Sequence, residues 1–600
     1  MNHNIYKLLI LIAICTVAMT SCEDFLDKTS PSKIQADEWF YNESSLEIYA
    51  NGFIDSYTPS VASLTYGDAD ADYVARINQS TFYTGSWTPN DQAGWSISNW
   101  KPIYNVNYFL KHLRETPGVS EEILNHYEGV GRFWRAWHYF SFVKNFGAVP
   151  WYSEPIDPED DGMLYKTRDS REYVMHMILE DLNYASKYCL VTDKYVNHGV
   201  INGYIANALK ARICLYEGTY RKYHSVEPSC QKAWTTEFES ADDFLNECVA
   251  ACKFIMDSKV YSIKNNASNV NTQYRKIFNS EAVNYDEILW AREYIEGVVM
   301  HPTTWYFNSA TSGSCWSMTK DFLNTYLNRD GSRYTDDASY KTNSYCEELN
   351  PNRDARIAQT IITPTYAKLQ GGKMSEAVPN FNVTRTGYQI IKFNIDDSSL
   401  ESTTTSYNSI PVMRYAEVLL NYAEAKAELG QFTEDDWKAT IALLRARAGV
   451  SAIAPTEADP YLVSYFDNTV TDKWLLEIRR ERGTELFMEN LRYQDLMRWH
   501  LGHLIERAWR GIYCPVGTVQ PLNGSSTKFI SIVKNPVAAQ ANTQYIVLSD
   551  NKYVSVDSDG CLVFEQTPRV WKEKMYLKPI PQSAIDVNQN LAQNELWKLI

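Results

Sequence analysis

Apolar residues recur three and four apart through long stretches of this chain, the spacing that gathers them on one face of a helix. Residues 121 to about 144 read this way. Phe133, Trp137 and Phe140 share one stripe and read as scaffold core, Ser120 is placed to cap the start, and Gly147 follows near the end. Further helices are predicted over 170–188, 200–216 and 240–256, the last with Ser240 and Asp243 in capping-box spacing. A cleaner pair covers 412–429, stopped by Gly430, and 433–448, stopped by Gly449, with Thr433 and Asp436 again spaced as a capping box. One more long helix is predicted from 474 to about 498. Consecutive helices with short connections argue for antiparallel pairs of the tetratricopeptide kind, so the fold class is mainly α.

Three stretches break the helical period: about 55–105, 259–410 and 511–570. They carry Ser, Asn, Asp, Thr and Gly among aromatics, with short alternating runs such as Tyr388 to Phe393 that predict strands. Trp100 and Tyr104, four apart and leading into Val106 and Phe109, read instead as helix core. Long irregular insertions on a helical scaffold are where binding groups usually sit.

The first residues follow a different rule. Lys7 is a basic start, Leu8 to about Met19 is an apolar run, and Thr20-Ser21-Cys22 closes it. A membrane span needs about 20 apolar residues, and this run is shorter. It reads as a signal peptide over 1–21, cleaved before Cys22, whose thiol would carry lipid. The rest, 22–600, reads as one compact unit. Net charge is −16, which argues against nucleic acid as a partner. Cysteines number 11; with Cys15 lost and Cys22 lipidated, an odd number remains, which argues against a full disulfide framework. Cys248 and Cys252 share a helix face without partners at metal-ligand spacing and read as core thiols. The charge cluster Glu477, Arg479, Arg480, Glu481, Arg482 and Glu485 reads as an ion-pair network, with Glu477–Arg480 and Arg482–Glu485 in reach. Nucleotide-loop, zinc-protease and serine-hydrolase motifs are absent. No cofactor or metal is implied, and a bound calcium ion is left open.

Six segments carry more than pattern. They are Cys22-Glu23-Asp24-Phe25-Leu26-Asp27; Gly131-Arg132-Phe133-Trp134-Arg135-Ala136 through Phe146-Gly147-Ala148-Val149-Pro150; Asn352-Arg353-Asp354-Ala355-Arg356; Arg414-Tyr415-Ala416-Glu417 through Ala425; Arg480-Glu481-Arg482-Gly483-Thr484-Glu485 through Trp499; and Leu577-Lys578-Pro579-Ile580-Pro581 with Asn588 to Asn594. Taken in order, they resemble the SusD/RagB family of Bacteroidetes surface lipoproteins. Asn588-Gln589 departs from the family's usual Asn-Pro. The resemblance implies four tetratricopeptide-like helix pairs forming a right-handed scaffold beneath a large loop-rich half with short strands. It also implies an outer-membrane lipoprotein facing the cell surface, which hands an oligosaccharide, or in some members a peptide, to a SusC-like TonB-dependent transporter. A surface glycoside hydrolase and an adhesin are the competing readings.

The resemblance carries no binding residue over, so the site is chosen physically. Aromatics make up 14% of the chain, including 42 Tyr and 17 Trp. Sugar rings stack their C–H faces on flat aromatics and need amide or carboxylate partners for their hydroxyls. Trp87, Asn90, Asp91 and Trp95 offer both within nine residues of a predicted loop. Trp305, Tyr306 and Trp316 form a second concentration.

Overall fold

The structure, a computed structural model, describes residues 39–91, 93–310 and 313–598; Cys22 and the rest of the N-terminal segment lie outside them. The chain enters through α1 (Glu43–Tyr57), α2 (Val61–Tyr66) and α3 (Ile97–His112). The 26-residue α4 (Glu121–Phe146) follows. Ser120 caps it by accepting from the Ile123 amide at 3.3 Å, and Glu121 and Glu122 face the positive end of its dipole. Gly147 ends it at φ +75°, where a Cβ would lie 2.8 Å from Leu577 and Ser229, so only glycine fits.

Helix α4 packs on α5 (Arg171–Tyr188), α5 on α6 (Gly203–Tyr223), and α6 on α7 (Ala241–Ser258). The stack therefore grows by neighbouring antiparallel helices. Helix α6 is buried on nearly every side, which makes it the axis of the scaffold. Later in the chain come α8 (Thr303–Asn308), α9 (Tyr415–Glu428), α10 (Glu434–Ala439), α11 (Ile441–Arg447), α12 (Lys473–Glu485) and α13 (Arg492–Arg498). Helix α9 packs on α7 and on α12, which extends the same stack. One continuous apolar core joins these helices to the irregular half.

Several predicted boundaries move, each for a visible reason. Val412 belongs to a strand, Ile410–Arg414, paired antiparallel with Ile288–Arg292; α9 begins only at Tyr415. The predicted helix 433–448 breaks at Thr440 into α10 and α11, although its Thr433–Asp436 capping box forms as expected. The predicted helix 474–498 breaks between α12 and α13, where Met488 and Asn490 take positive φ. Tertiary partners hold that break open. The Met488 amide donates to the Tyr73 hydroxyl at 2.9 Å, and the Leu491 and Tyr493 amides donate to Asp68 at 3.0 and 3.1 Å. Tyr388 to Phe393 is not a strand; Gln389 and Ile390 each make one isolated bridge. Residues 511–570 hold two three-stranded sheets, as their alternation suggests. Tyr104 lies on the exposed side of α3, while Trp100 stacks on Phe142 at 4.2 Å.

The charges of α12 are buried and paired across the scaffold. Glu477 meets Arg480 at 3.1 Å, as spacing predicts. Arg482 does not pair with Glu485; it turns to Asp495 at 2.7 Å. Glu485 instead gathers Arg414 at 2.6 Å, Arg356 at 3.1 Å, and Arg447. Arg356 also holds Asp354, its neighbour in the Asp-x-Arg element, at 2.6 Å. Burial alone would raise Glu485, but these three guanidiniums hold it well below the usual carboxylate range. Cys248 and Cys252 are buried free thiols inside α7.

Candidate ligand-binding face

Helix α2 is the hinge point of the candidate face, because its two sides serve two different groups of predicted residues. On one side Tyr66 joins the second tryptophan group. Its ring stacks on Trp316 at 4.5 Å with an 18° interplanar angle, and lies 5.8 Å from Tyr306. Trp305 adds its ring 5.1 Å from Tyr306. Helix α8 carries Trp305 and Tyr306 and is fixed by polar ties: the Thr304 amide donates to Ser406 Oγ at 3.2 Å, and Gln389 Nε2 donates to Asn308 at 3.0 Å. Trp305 and Tyr306 are half-buried and present ring surface to solvent. Trp316 is only 7% exposed, covered by Tyr66, with its Nε1 unpartnered. So the structure brings three predicted residues together, adds Tyr66 to them, and sets Trp316 beneath the surface. Burial and then Tyr306 push the Tyr66 hydroxyl up to about 12, so it stays a neutral donor.

On the other side of α2, Gly67 borders a cavity of about 230 Å³ that Trp87 also lines, with Asp70, Phe82, Lys144 and Lys578. Trp87 meets Phe82 edge-on at 5.3 Å and keeps a buried, unpartnered Nε1. Lys578 also lines a neighbouring hollow of about 330 Å³ with Asn145 and Ser141, and Lys144 lines another of about 350 Å³ with Ser141 and Trp137. The three adjoin along α4 through shared lining residues, and are called the α4 groove. Trp137 is therefore not the buried scaffold residue its stripe predicts. It is half-buried, with its ring 5.8 Å from Trp290, and opens onto the groove.

The rest of the first group separates from Trp87. Trp95 packs edge-on against Phe146 at 5.0 Å and Trp100 at 5.3 Å. Asn90 and Asp91 are exposed. Asp91 is committed to its own turn, accepting from the Thr88 amide at 2.8 Å and the Thr88 hydroxyl at 2.6 Å. Those bonds lower its pKa. Among the described residues no ring contact joins Trp87 or Trp95 to the Trp305 group.

Electrostatics set the groove apart. Asp70 is ion-paired to Arg76 at 2.6 Å, and Lys578 faces the same carboxylate. Burial, and then Arg212, lower the Lys144 ammonium to about 7. Burial lowers Lys578 as well, against the pull of Asp70. Both lysines lie in segments quoted for the family resemblance, but nothing in those segments marks either as a ligand group; only the fold gathers them. Elsewhere, His224, His500 and Glu573 bring one donor atom each within 4.8 Å of the others and form a trio able to take a metal ion. His224 Nε2 already donates to the Met497 carbonyl at 2.9 Å, and His500 meets Glu573 at 3.0 Å.

This chain belongs to the SusD family: the family model matches residues 254–597, and a second model, described as starch-binding associating with outer membrane, matches 24–215. Among curated proteins it is similar to SusD-like protein P25 of Formosa agariphila, 22% identical over 299 residues; the match spans 46% of this chain and half the length of that relative. Among solved structures it is similar to a SusD-like protein from Bacteroides fragilis, at 19% identity and TM-score 0.65, covering 94% of this chain and 100% of that one. A SusD-like carbohydrate binding protein, also from Bacteroides fragilis, gives 20% identity, TM-score 0.66 and coverages of 92% and 100%. Surface glycan-binding protein A from Bacteroides fluxus gives 15%, 0.54, 92% and 99%. At these identities the structural likeness speaks for the fold.

Proposed function

We propose that this protein is a cell-surface glycan-binding lipoprotein that captures an oligosaccharide without transforming it and passes it to a SusC-like TonB-dependent transporter. Family membership supports the class, and the family description supports outer-membrane association. The observation that carries the ligand reading is the platform of Tyr66, Trp305 and Tyr306, three rings with solvent-facing surface on tied-down helices. Such rings stack on sugar C–H faces, and contacts of this kind are worth about 0.5–1.5 kcal/mol beyond burial. Trp316 supports Tyr66 from below in this reading. Trp87 contributes from the groove.

Among the described residues no helix is long and apolar enough to cross a membrane. Attachment is assigned to Cys22, because the apolar run from Leu8 ends in Ser21-Cys22. Stable anchoring takes more than one acyl chain, as a bacterial lipoprotein cysteine provides. The decisive experiment is a glycan screen of the soluble mature protein, followed by calorimetry on Trp305→Ala and Tyr306→Ala. Binding of an oligosaccharide that both changes weaken supports the reading; full-strength binding by both refutes the platform. Two further arms test the assignment. Cys22→Ala should release the protein from membrane fractions. Mild-detergent purification of wild type should bring down a larger β-barrel protein, and its absence under conditions that keep other such complexes intact would refute the partner.

A further inference from the structure

Lysines buried in this protein are otherwise answered by carboxylates. Lys320 meets Glu348 at 2.5 Å, Lys392 meets Glu489 at 2.6 Å, and Lys210 meets Glu247 at 2.5 Å. That is the expected arrangement, since an ammonium out of water is costly unless paired. Lys144 and Lys578, half-buried at the wall of a cavity, have no such partner of their own. The Lys144 ammonium donates to the neutral Gln494 amide oxygen at 3.0 Å and sits 4.7 Å over the Phe140 ring. Among the described residues Lys578 has no ion pair. The carboxylate it faces, Asp70, is already held by Arg76. Arg76 and Lys578 thus share the one carboxylate that lines the 230 Å³ cavity, and Lys144, on the same cavity, has none, in a chain of net charge −16. The same cavity is lined by Trp87, whose buried indole N–H has no acceptor. Two lysines with no carboxylate of their own and an orphan N–H around one cavity are what an anionic oxygen group would satisfy, and its charge would hold Lys144, lowered to about 7 without one, in the ammonium form.

We propose that this cavity receives the anionic substituent of an acidic saccharide, a uronate carboxylate or a sulfate ester. Lys144 and Lys578 serve as its charge partners, and Trp87 Nε1 as a hydrogen-bond donor. The inference rests on the glycan-binding reading and narrows its ligand to acidic glycans. Lysine suits the task because its ammonium is a compact point charge with three donors, indifferent to whether the anion is planar or tetrahedral.

The test uses the mature protein on an array holding uronate-bearing, sulfated and neutral oligosaccharides. Calorimetry on the strongest acidic binder then compares wild type with Lys144→Gln, Lys578→Gln and Trp87→Phe. The expected outcome is selective retention of acidic glycans, weakened at least tenfold by either lysine change and by raised salt, and more modestly by Trp87→Phe. Lys144→Arg should keep affinity within a few-fold, which separates charge from packing. Melting curves identify any variant that has lost its fold, and Lys578→Gln alone suffices if Lys144→Gln proves unstable. Whether uronates or sulfates are retained names the anion. Retention of neutral glycans only, or an acidic binder indifferent to both lysine changes, overturns this inference and leaves the glycan-binding reading standing. Retention of no glycan overturns both.

Discussion

The arginines around α12 are withdrawn from bulk water and the lysines of the α4 groove are half-buried, and the two groups differ in what answers their charge. Arg356, Arg414, Arg445 and Arg447 are closed by Glu287, Glu477, Glu481, Glu485 and Asp354, so the network is neutralised within the protein. Lys144 and Lys578 are left open. Charge buried for the scaffold is satisfied by the scaffold, while charge buried for a ligand waits for one. The same division holds for aromatics: Trp134 and Trp290 are fully enclosed, whereas Trp305 and Tyr306 keep an open surface.

The sharpest way to break the comparison is to open the closed network. Glu485→Ala removes the carboxylate shared by Arg356, Arg414 and Arg447, leaving Arg356 to Asp354 and Glu481, Arg414 to Glu287 and Glu489, and Arg447 to Glu287 alone. Losing one partner of a buried pair costs about 3–5 kcal/mol. Chemical denaturation should show at least that loss. A variant as stable as wild type would remove the network from the account of the fold. Trp316→Ala should cost a similar 3–5 kcal/mol by leaving a hole under Tyr66, and should weaken ligand binding only as a consequence of that collapse.

Acid should open the network without mutation. Burial would raise Glu424, but Arg498, through its charge and hydrogen bonds, and then Arg482 hold it at about 2, against 4.5 for a free glutamate. Its folded pKa is depressed, so its contribution is present above pH 4.5 and lost as pH falls from there toward 2. Glu485 acts in the same direction. The denaturation midpoint should therefore hold through neutral pH and drop steeply below about pH 5. A midpoint unchanged down to pH 3 would contradict the assigned pairings.

Much of the scaffold was legible in the sequence because local physics wrote it. Ser120, Ser240 and Thr433 cap the helices their spacing announces, and the apolar stripes of α4 and α7 face the core. The errors cluster where a distant segment decides. Nothing near Met488 says that Tyr73 and Asp68 will hold the chain open between α12 and α13. Arg482 and Glu485 have helical ion-pair spacing, yet stronger partners from other helices take both. The candidate face was half legible. Trp305, Tyr306 and Trp316 were marked by their density, but Tyr66 joins them from more than 200 positions away and leaves no local sign. Trp137 misled because its stripe is real, and only the groove beside α4 uncovers it. Lys144 and Lys578 lie over 400 positions apart, so their shared cavity exists only in the fold.

The smallest expected effect tests the open side of the comparison most directly. Trp305 and Tyr306 rest on α8, whose Thr304 amide is tied to Ser406 and whose Asn308 side chain is tied to Gln389, independently of the two rings. Removing either ring should therefore leave the melting temperature within a few degrees of wild type, since part of each is already hydrated. Each should still lose one stacking surface, about 0.5–1.5 kcal/mol, which is roughly a threefold to tenfold weaker Kd for the oligosaccharide. Trp137→Ala is the control on the groove side. Its ring touches the Trp134 and Trp290 cluster, so it should lower stability, by less than the 3–5 kcal/mol of an enclosed tryptophan. If Trp305→Ala and Tyr306→Ala melt early while binding at full strength, their rings are scaffold and the division between closed and open halves has been drawn in the wrong place.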